Sequence, residues 1–167
     1  HLVGRLLALG HSVRVFDRPA PKRQLAAGQE RLQFFGGDFS TEPDFRQVLK
    51  GCDVVFHLIS TTLPNSSNDD PAADVMGNLI PTLRLLEQMR ETGVRKIVFP
   101  SSGGTVYGEA SRLPIDEQHP TNPIVSYGAV KLAIEKYLAI YRRSFSFFLF
   151  ASEFPIPTAL DFAPARL

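Results

Sequence analysis

The chain has 167 residues, of which 44% are hydrophobic and 21% are charged, a composition typical of a globular domain with its own hydrophobic core. Its formal net charge of +1 predicts no bulk attraction to nucleic acid or to an anionic membrane, and no apolar run reaches the roughly 18 residues that a membrane span needs. Cys52 is the only cysteine, which excludes an internal disulfide, disfavours a cysteine zinc site and fits a reducing, cytoplasmic setting.

The first part of the chain alternates between helical and extended patterns. Apolar residues recur at helical spacing from the start of His1–Gly10, and since a chain seldom begins inside a helix, we expect this sequence to be a fragment. Further along, strands are predicted at Val13–Phe16, Arg31–Asp38 and Asp53–Ser60, with a helix at Thr41–Gly51.

The second part contains two long amphipathic helices. They are predicted at Ala72–Thr92 and Val125–Arg143, with a strand at Val94–Ser102 between them. Residues 144–167 have aromatic runs without a clear period and are interpreted as an irregular tail, in which Leu160–Leu167 is one further possible strand.

Short apolar strands separated by helices predict a parallel sheet covered on both faces, which is a doubly wound, Rossmann-like α/β fold. Ligands of such folds bind at the carboxyl ends of the strands. The polar groups expected there are Asp17, Asp38, His57–Ser60 and Ser101–Thr105. Residues 1–143 are therefore predicted to form one partial dinucleotide-binding domain.

Asp17 follows the first predicted strand, where a carboxylate can accept both hydroxyls of an adenosine ribose and favours NAD over NADP. Arg18 weakens that preference. Asp38 is placed to meet the adenine amino group. An ordinary turn aspartate is the alternative at both acidic positions.

Tyr127 and Lys131 are four residues apart and share one face of the second long helix. An ammonium close to a phenol stabilises phenolate and is expected to lower the tyrosine pKa, which suits a general base. The alternative is a half-buried tyrosine beside a solvated lysine. His57 is interpreted as a hydrogen-bonded strand-end histidine rather than a base, and no metal site is predicted.

Six segments in this order resemble the extended short-chain dehydrogenase/reductases of the NAD-dependent epimerase/dehydratase family, especially the UDP-glucose 4-epimerase-like members. The segments are VRVFDR, GDF, VFHLIS, GNLIPTLRLLE, SSGGTVYG and SYGAVK. The resemblance implies NAD as cofactor and a nucleotide sugar as substrate. It implies cofactor contacts from Asp17, Arg18, Asp38, Phe39, Leu58, Ile59, Ser60, Asn78, Ser101, Tyr127 and Lys131.

The resemblance also implies epimerisation by transient oxidation at C4 of the sugar, with Tyr127 as the base. Gly103 stands where many relatives have an alcohol, so Ser102 is the first candidate to share the proton and Thr105 the second. The loop lacks the acidic pair typical of dehydratases; a dehydratase, a reductase or an inactive truncated relative remain alternatives.

Two further expectations follow from the same resemblance. The family's first strand and glycine-rich loop are expected before His1, and its substrate domain after the tail. Relatives pair as homodimers through the two long helices, and Leu132, Ile134 and Leu138 either serve that interface or face the chain's own sheet.

Overall fold

The structure is a computed structural model that describes residues 1–18 and 29–152. The helices are α1 (Leu2–Ala8), α2 (Arg46–Leu49), α3 (Pro71–Asp74), α4 (Ile80–Thr92) and α5 (Ser126–Phe145), and a π-helical turn, Val75–Leu79, joins α3 to α4. The strands are β1 (Val13–Asp17), β2 (Leu32–Gly36), β3 (Val54–Phe56), β4 (Lys96–Pro100) and β5 (Phe148–Ser152). Within the described ranges, no helix combines the length and the apolar character needed to cross a bilayer.

All strand pairs are parallel, as the sequence predicts. β1 pairs with β2, while β3, β4 and β5 form a second sheet in that order. In a doubly wound fold, the first strand lies between the strands that correspond to β1 and β3. Within the described ranges no strand occupies that position, so β1 and β3 each keep one edge without a ladder partner.

The core lies between the larger sheet and the two long helices. Leu86 and Met89 of α4 are fully buried, as are Ile97 and Phe99 of β4. From α5, Ile134 and Leu138 join the same cluster with 2% and 1% exposure, so these two residues face their own sheet rather than a dimer interface.

The helix predicted at Thr41–Gly51 is reduced to the single turn α2. The amides of Thr41 and Glu42 bond instead to the carbonyl of Asp38, and the Phe45 amide donates to Gln88 Oε1 at 2.5 Å. Tertiary contacts thus replace the first helical turn.

The segment after Arg143 is more regular than predicted. Helix α5 continues to Phe145, Ser146 adopts a left-handed φ of 56°, and β5 then pairs along the whole of β4. Strand β5 is an apolar run like the predicted strands, but it was missed because the aromatic segment around it has no clear period. The strand expected at Leu160–Leu167 lies outside the described residues.

Candidate functional site

Tyr127 and Lys131 lie in the first turns of α5, beside the carboxyl end of β4. Tyr127 is partly buried, whereas Lys131 is only 7% exposed. Lys131 Nζ donates to the carbonyl of Pro100 at 3.1 Å, lies 4.5 Å from the ring centroid of Phe99 and 5.6 Å from that of Tyr127. The two side chains therefore share a helix face, as their spacing predicts.

The electrostatics of this pair differ from the sequence prediction. Burial raises the pKa of Tyr127, as does the Asp74 carboxylate, while a contact with the Ser60 hydroxyl acts in the opposite direction. Burial lowers the pKa of Lys131, and Asp74 and Glu135 partly oppose that shift. The expectation of a lowered Tyr127 pKa is thus wrong for this structure, because burial of the phenol, together with the Asp74 carboxylate, outweighs the contact with Ser60.

A small pocket of about 10 Å³, enough for one water molecule, lies between α5, the end of β3 and the π-helical turn, and we call it the polar pocket after its side chains. Its wall includes Tyr127 and Lys131, and the remaining lining residues are His57, Ile59, Ser60, Asp74, Asn78, Thr82, Val130 and Ile134. Ile59, Ser60 and Asn78 were predicted from sequence to meet the cofactor, so the structure gathers these three with the tyrosine–lysine pair.

Both polar atoms of the Asn78 side chain form hydrogen bonds within the protein. Its Oδ1 accepts the Thr61 amide at 2.8 Å, and its Nδ2 donates to Asp74 Oδ1 at 2.9 Å. Asp74 Oδ1 also accepts the Thr62 hydroxyl at 2.7 Å, while its Oδ2 is buried without a partner in the described part of the chain. Asn78 therefore holds the pocket wall in place through its hydrogen bonds. Asp74 Oδ2 is the hydrogen-bond acceptor of this wall that has no partner among the described residues.

The π-helical turn that carries Asn78 ends just before Pro81. Proline has no N–H, so it cannot donate to the carbonyl of Gly77 four residues earlier, which favours a local departure from α-helical bonding. A Cβ at Gly77 would lie 2.7 Å from Thr61 Oγ1. A side chain at this position would therefore force apart the contact between the turn and the loop after β3.

The loop after β4 contains the candidate alcohols. The Ser101 hydroxyl donates to Glu135 of α5, so its hydrogen already has an acceptor within the protein. Ser102 is partly buried, and Thr105 Oγ1 is buried without a hydrogen-bond partner among the residues that the structure covers. A Cβ at Gly128 would lie 2.3 Å from the Thr105 carbonyl oxygen, so glycine permits this loop to pack directly on α5.

The predicted adenosine contacts meet at the carboxyl ends of β1 and β2. Asp17 is exposed at the end of β1, and Arg18 Nη1 lies 4.0 Å from Asp38 Oδ2. Two bonds from Ser40, through its hydroxyl and its amide, lower the pKa of Asp38. The side chain of Phe39 is 4% exposed and packs on Phe45 in the core, and its contact with the cofactor stays a prediction.

An open cleft, separate from the polar pocket, includes Arg18 and Asp38 in its wall. Its lining residues are Arg18, Asp38, Ser40, Thr41, Thr61, Thr62, Ala73, Met76 and Gly77. The Thr62 hydroxyl of the cleft wall donates to Asp74 of the pocket wall at 2.7 Å, and Leu58, 55% exposed, follows β3. The carboxylates at the ends of β1 and β2 and the tyrosine–lysine pair thus lie on either side of this contact.

Three site residues escaped the sequence analysis. Glu135 lies four residues beyond Lys131 on the same helix face, a spacing from which it was predictable. Ser67 and Asn68 contact the first turn of α5, although they are about 60 residues away in the sequence. No local sequence pattern predicts that contact.

The comparisons with known proteins agree with this geometry. The model of the NAD dependent epimerase/dehydratase family matches residues 1–152. A UDP-glucose 4-epimerase of Mycolicibacterium smegmatis is 39% identical over 147 residues, which make up 84% of this chain and 47% of that protein.

Two solved structures have the same fold. The UDP-glucose 4-epimerase of Thermus thermophilus in complex with NAD matches with a TM-score of 0.76 and 31% identity, covering 90% of this chain and 49% of that one. A UDP-N-acetylglucosamine 4-epimerase of Methanobrevibacter ruminantium, in complex with UDP-N-acetylmuramic acid, matches with a TM-score of 0.80 and 27% identity, again over 90% and 49%.

These matches confirm the fold and the resemblance found in the sequence. The chain spans about half the length of the relatives that it matches. On the extent of the family match and on the identity with these relatives, the chain belongs to the NAD dependent epimerase/dehydratase family.

Proposed function

We propose that this chain is part of an enzyme that interconverts epimers of a nucleotide sugar with tightly held NAD. The observation that carries the proposal is the polar pocket, where Tyr127 and Lys131 share one wall with Ser60 and Asn78. The cleft that contains Asp38 is joined to this wall by the bond between Thr62 and Asp74, and this proximity supports a ligand that extends from an adenosine end to a reactive end.

Each group has a defined role in this scheme. Asp17 accepts the ribose hydroxyls, and Asp38, which its lowered pKa keeps ionised, accepts from the adenine amino group. Ile59 lines the pocket, and the exposed Leu58 precedes it. NAD held by these residues would supply a reversible hydride acceptor for C4 of the sugar.

Tyr127 is proposed to remove the proton from the sugar 4-hydroxyl and to return it after the sugar has turned over. Ser102 is the first candidate to share that proton, and Thr105 is the second. The unpaired, buried Oγ1 of Thr105 favours the second candidate more than the sequence did. Lys131 is held by the Pro100 carbonyl, which keeps its ammonium beside the phenol.

A positive charge near the phenol has to offset the burial that raises the Tyr127 pKa. Lys131 supplies one such charge, since Asp74 and Glu135 favour its protonated form against the effect of burial. An oxidised nicotinamide ring held beside Tyr127 would supply a second positive charge and would favour the phenolate further.

A dehydratase or reductase of the same family is the alternative reaction. Residues 103–105 of the loop, Gly-Gly-Thr, offer no carboxylate to remove water, which favours epimerisation. An inactive relative is the remaining alternative, against which the intact tyrosine–lysine pair argues.

The test is incubation of the full-length protein with UDP-glucose. Formation of UDP-galactose without net NADH supports epimerisation, whereas consumption of reduced cofactor would identify a reductase and loss of water a dehydratase. Replacing Tyr127 with Phe keeps the ring but removes the base, and is expected to lower kcat by about 100-fold or more. Comparison of Ser102→Ala with Thr105→Ala identifies the alcohol that shares the proton.

The oligomeric state and the cellular compartment are also proposals. We propose a homodimer through α4 and α5, supported by the exposed apolar side chains of Ile80, Tyr137 and Ile140 on these helices. A cytoplasmic setting rests on the single cysteine alone. Analytical ultracentrifugation of the full-length protein and of Ile140→Glu tests the dimer, which the added charge should dissociate.

A further inference from the structure

The first turn of α5 is capped from a distant part of the chain. Ser67 Oγ accepts the amide of Tyr127 at 3.0 Å, and Asn68 Oδ1 accepts the amide of Ser126 at 2.8 Å. Val125, at the N-cap position of α5, has no side chain able to accept a hydrogen bond. The cap that a local serine or aspartate normally supplies therefore comes from the loop between β3 and α3.

The capping hydroxyl is itself held in place. Ser67 is 1% exposed, its hydroxyl donates to the Pro64 carbonyl at 3.2 Å, and its amide donates to the Leu63 carbonyl at 3.0 Å. A serine hydroxyl has one hydrogen, so the bond to Pro64 leaves the oxygen lone pairs for the Tyr127 amide.

The same loop is anchored at both of its ends. We call residues 61–70 the bridging loop. At its start, Thr61 and Thr62 bond to Asn78 and Asp74, respectively, at the pocket wall. At its end, Asp70 Oδ1 accepts the Ala73 amide at 2.9 Å and caps α3. The loop thus connects the wall that carries Asn78 to the turn that carries Tyr127.

We propose that Ser67 and Asn68 are positioning residues that hold the Tyr127 phenol at the pocket by fixing the first turn of α5. The proposal rests on the proposed function, in which Tyr127 is the base. A terminal turn without its caps frays, and the phenol of Tyr127 belongs to that turn. Because a displacement of about 1 Å in a reacting group can cost about 100-fold in rate, loss of the caps is expected to lower kcat by about 10- to 100-fold.

The variants separate capping from general disturbance of the loop. Ser67→Ala and Asn68→Ala each remove one acceptor, and Asn68→Asp keeps the acceptor and adds a charge that suits a helix N-terminus. Ser66→Ala is the matched control, because Ser66 is an exposed neighbour in the same loop whose hydroxyl contacts only the Leu63 carbonyl at 3.5 Å. Asn68 is exposed, so its variants are expected to fold even if Ser67→Ala does not.

Two measurements on the full-length protein need no substrate. Amide hydrogen exchange should accelerate selectively at Tyr127 in Ser67→Ala and at Ser126 in Asn68→Ala, with the later turns of α5 unchanged. The ¹³C resonance of the Tyr127 ring, assigned by its disappearance in Tyr127→Phe, should shift or broaden in both alanine variants. In Asn68→Asp and Ser66→Ala both signals should resemble the wild type.

The kinetic measurement then isolates the role in catalysis. kcat should fall in both alanine variants while KM changes by less than about threefold, and Asn68→Asp should recover kcat. Unchanged exchange and ring signals in Ser67→Ala and Asn68→Ala would overturn the proposal, as would lost protection with an unchanged kcat. If Ser67→Ala does not fold, the variants Asn68→Ala and Asn68→Asp test the proposal by the same criteria.

Failure of the proposed function would look different. In that case the wild type would be inactive on nucleotide sugars, while the exchange and ring signals would still report whether Ser67 and Asn68 hold Tyr127 in place.

Discussion

Acidification is expected to destabilise the protein through one buried histidine. His57 is 4% exposed, and its Nε2 lies 2.8 Å from Thr82 Oγ1. The Thr82 hydroxyl gives its hydrogen to the Asn78 carbonyl at 2.6 Å, so Nε2 must carry the proton that this hydroxyl accepts. Burial, with a smaller contribution from Lys131, lowers the pKa of His57 from 6.5 to about 3, which identifies it as a neutral structural histidine.

The size of the effect follows from that pKa difference. Because the folded protein disfavours the charged ring, stability is intact above the unfolded pKa of 6.5 and is lost as the pH falls toward the folded pKa of about 3. At about 1.4 kcal/mol per pKa unit, the full loss is about 5 kcal/mol. Between about pH 7 and about pH 5, the free energy of unfolding should fall by about 2 kcal/mol, a substantial share of the roughly 5–15 kcal/mol of a typical domain.

Urea unfolding followed by circular dichroism at both pH values measures this loss. His57→Gln is the reference variant, because glutamine keeps a donor for Thr82 but does not titrate. Asp38 and Glu87, whose pKa values are lowered, are present in both proteins and titrate at lower pH. The wild type should lose about 2 kcal/mol more than the variant between these pH values; equal losses in the two proteins would refute the assignment of His57 as a buried neutral group.

Three further predictions concern packing and surface charge. Ile134→Ala in the core should cost about 2–5 kcal/mol of unfolding free energy, whereas Leu113→Ala, at a side chain 82% exposed and outside the proposed interface, should change it by less than about 0.5 kcal/mol. Gly128→Ala should cost about 1–3 kcal/mol in the same urea assay, because its Cβ would lie 2.3 Å from the Thr105 carbonyl oxygen; a neutral result would mean that the loop can withdraw. Glu91→Gln breaks an exposed ion pair with an arginine of α2 and should change the free energy of unfolding only slightly, and less still in high salt.

The elements that the sequence predicts well are those whose pattern is local. The ends of the two long helices were predicted to within two residues, where the first comprises α3, the π-helical turn and α4 together. Such helices are predictable because one apolar face with helical period is enough to identify them. The pairing of Tyr127 with Lys131 on one face follows from helix geometry alone. The parallel direction of the strands follows from their alternation with helices, since parallel neighbours require crossovers.

The elements that failed are those in which a distant partner competes with the local preference. Gln88 of α4 takes the Phe45 amide, so the helix predicted at Thr41–Gly51 keeps only its final turn. Strand β5 lies in an aromatic segment without a clear period and is defined by the ladder that β4 offers. Propensity is weak compared with such tertiary hydrogen bonds, so the local pattern was overridden.

Sequence by itself determined which chemistry the chain carries: a phenol and an ammonium one helical turn apart, and carboxylates at the ends of two strands. Only the tertiary structure decided how those groups behave. It buried Tyr127 enough to raise its pKa, packed Phe39 into the core and brought Ser67 to cap the helix of the tyrosine. The physical reason is that spacing along a chain sets the face of a helix or strand on which a side chain lies, whereas burial and hydrogen bonding depend on residues that meet only after folding.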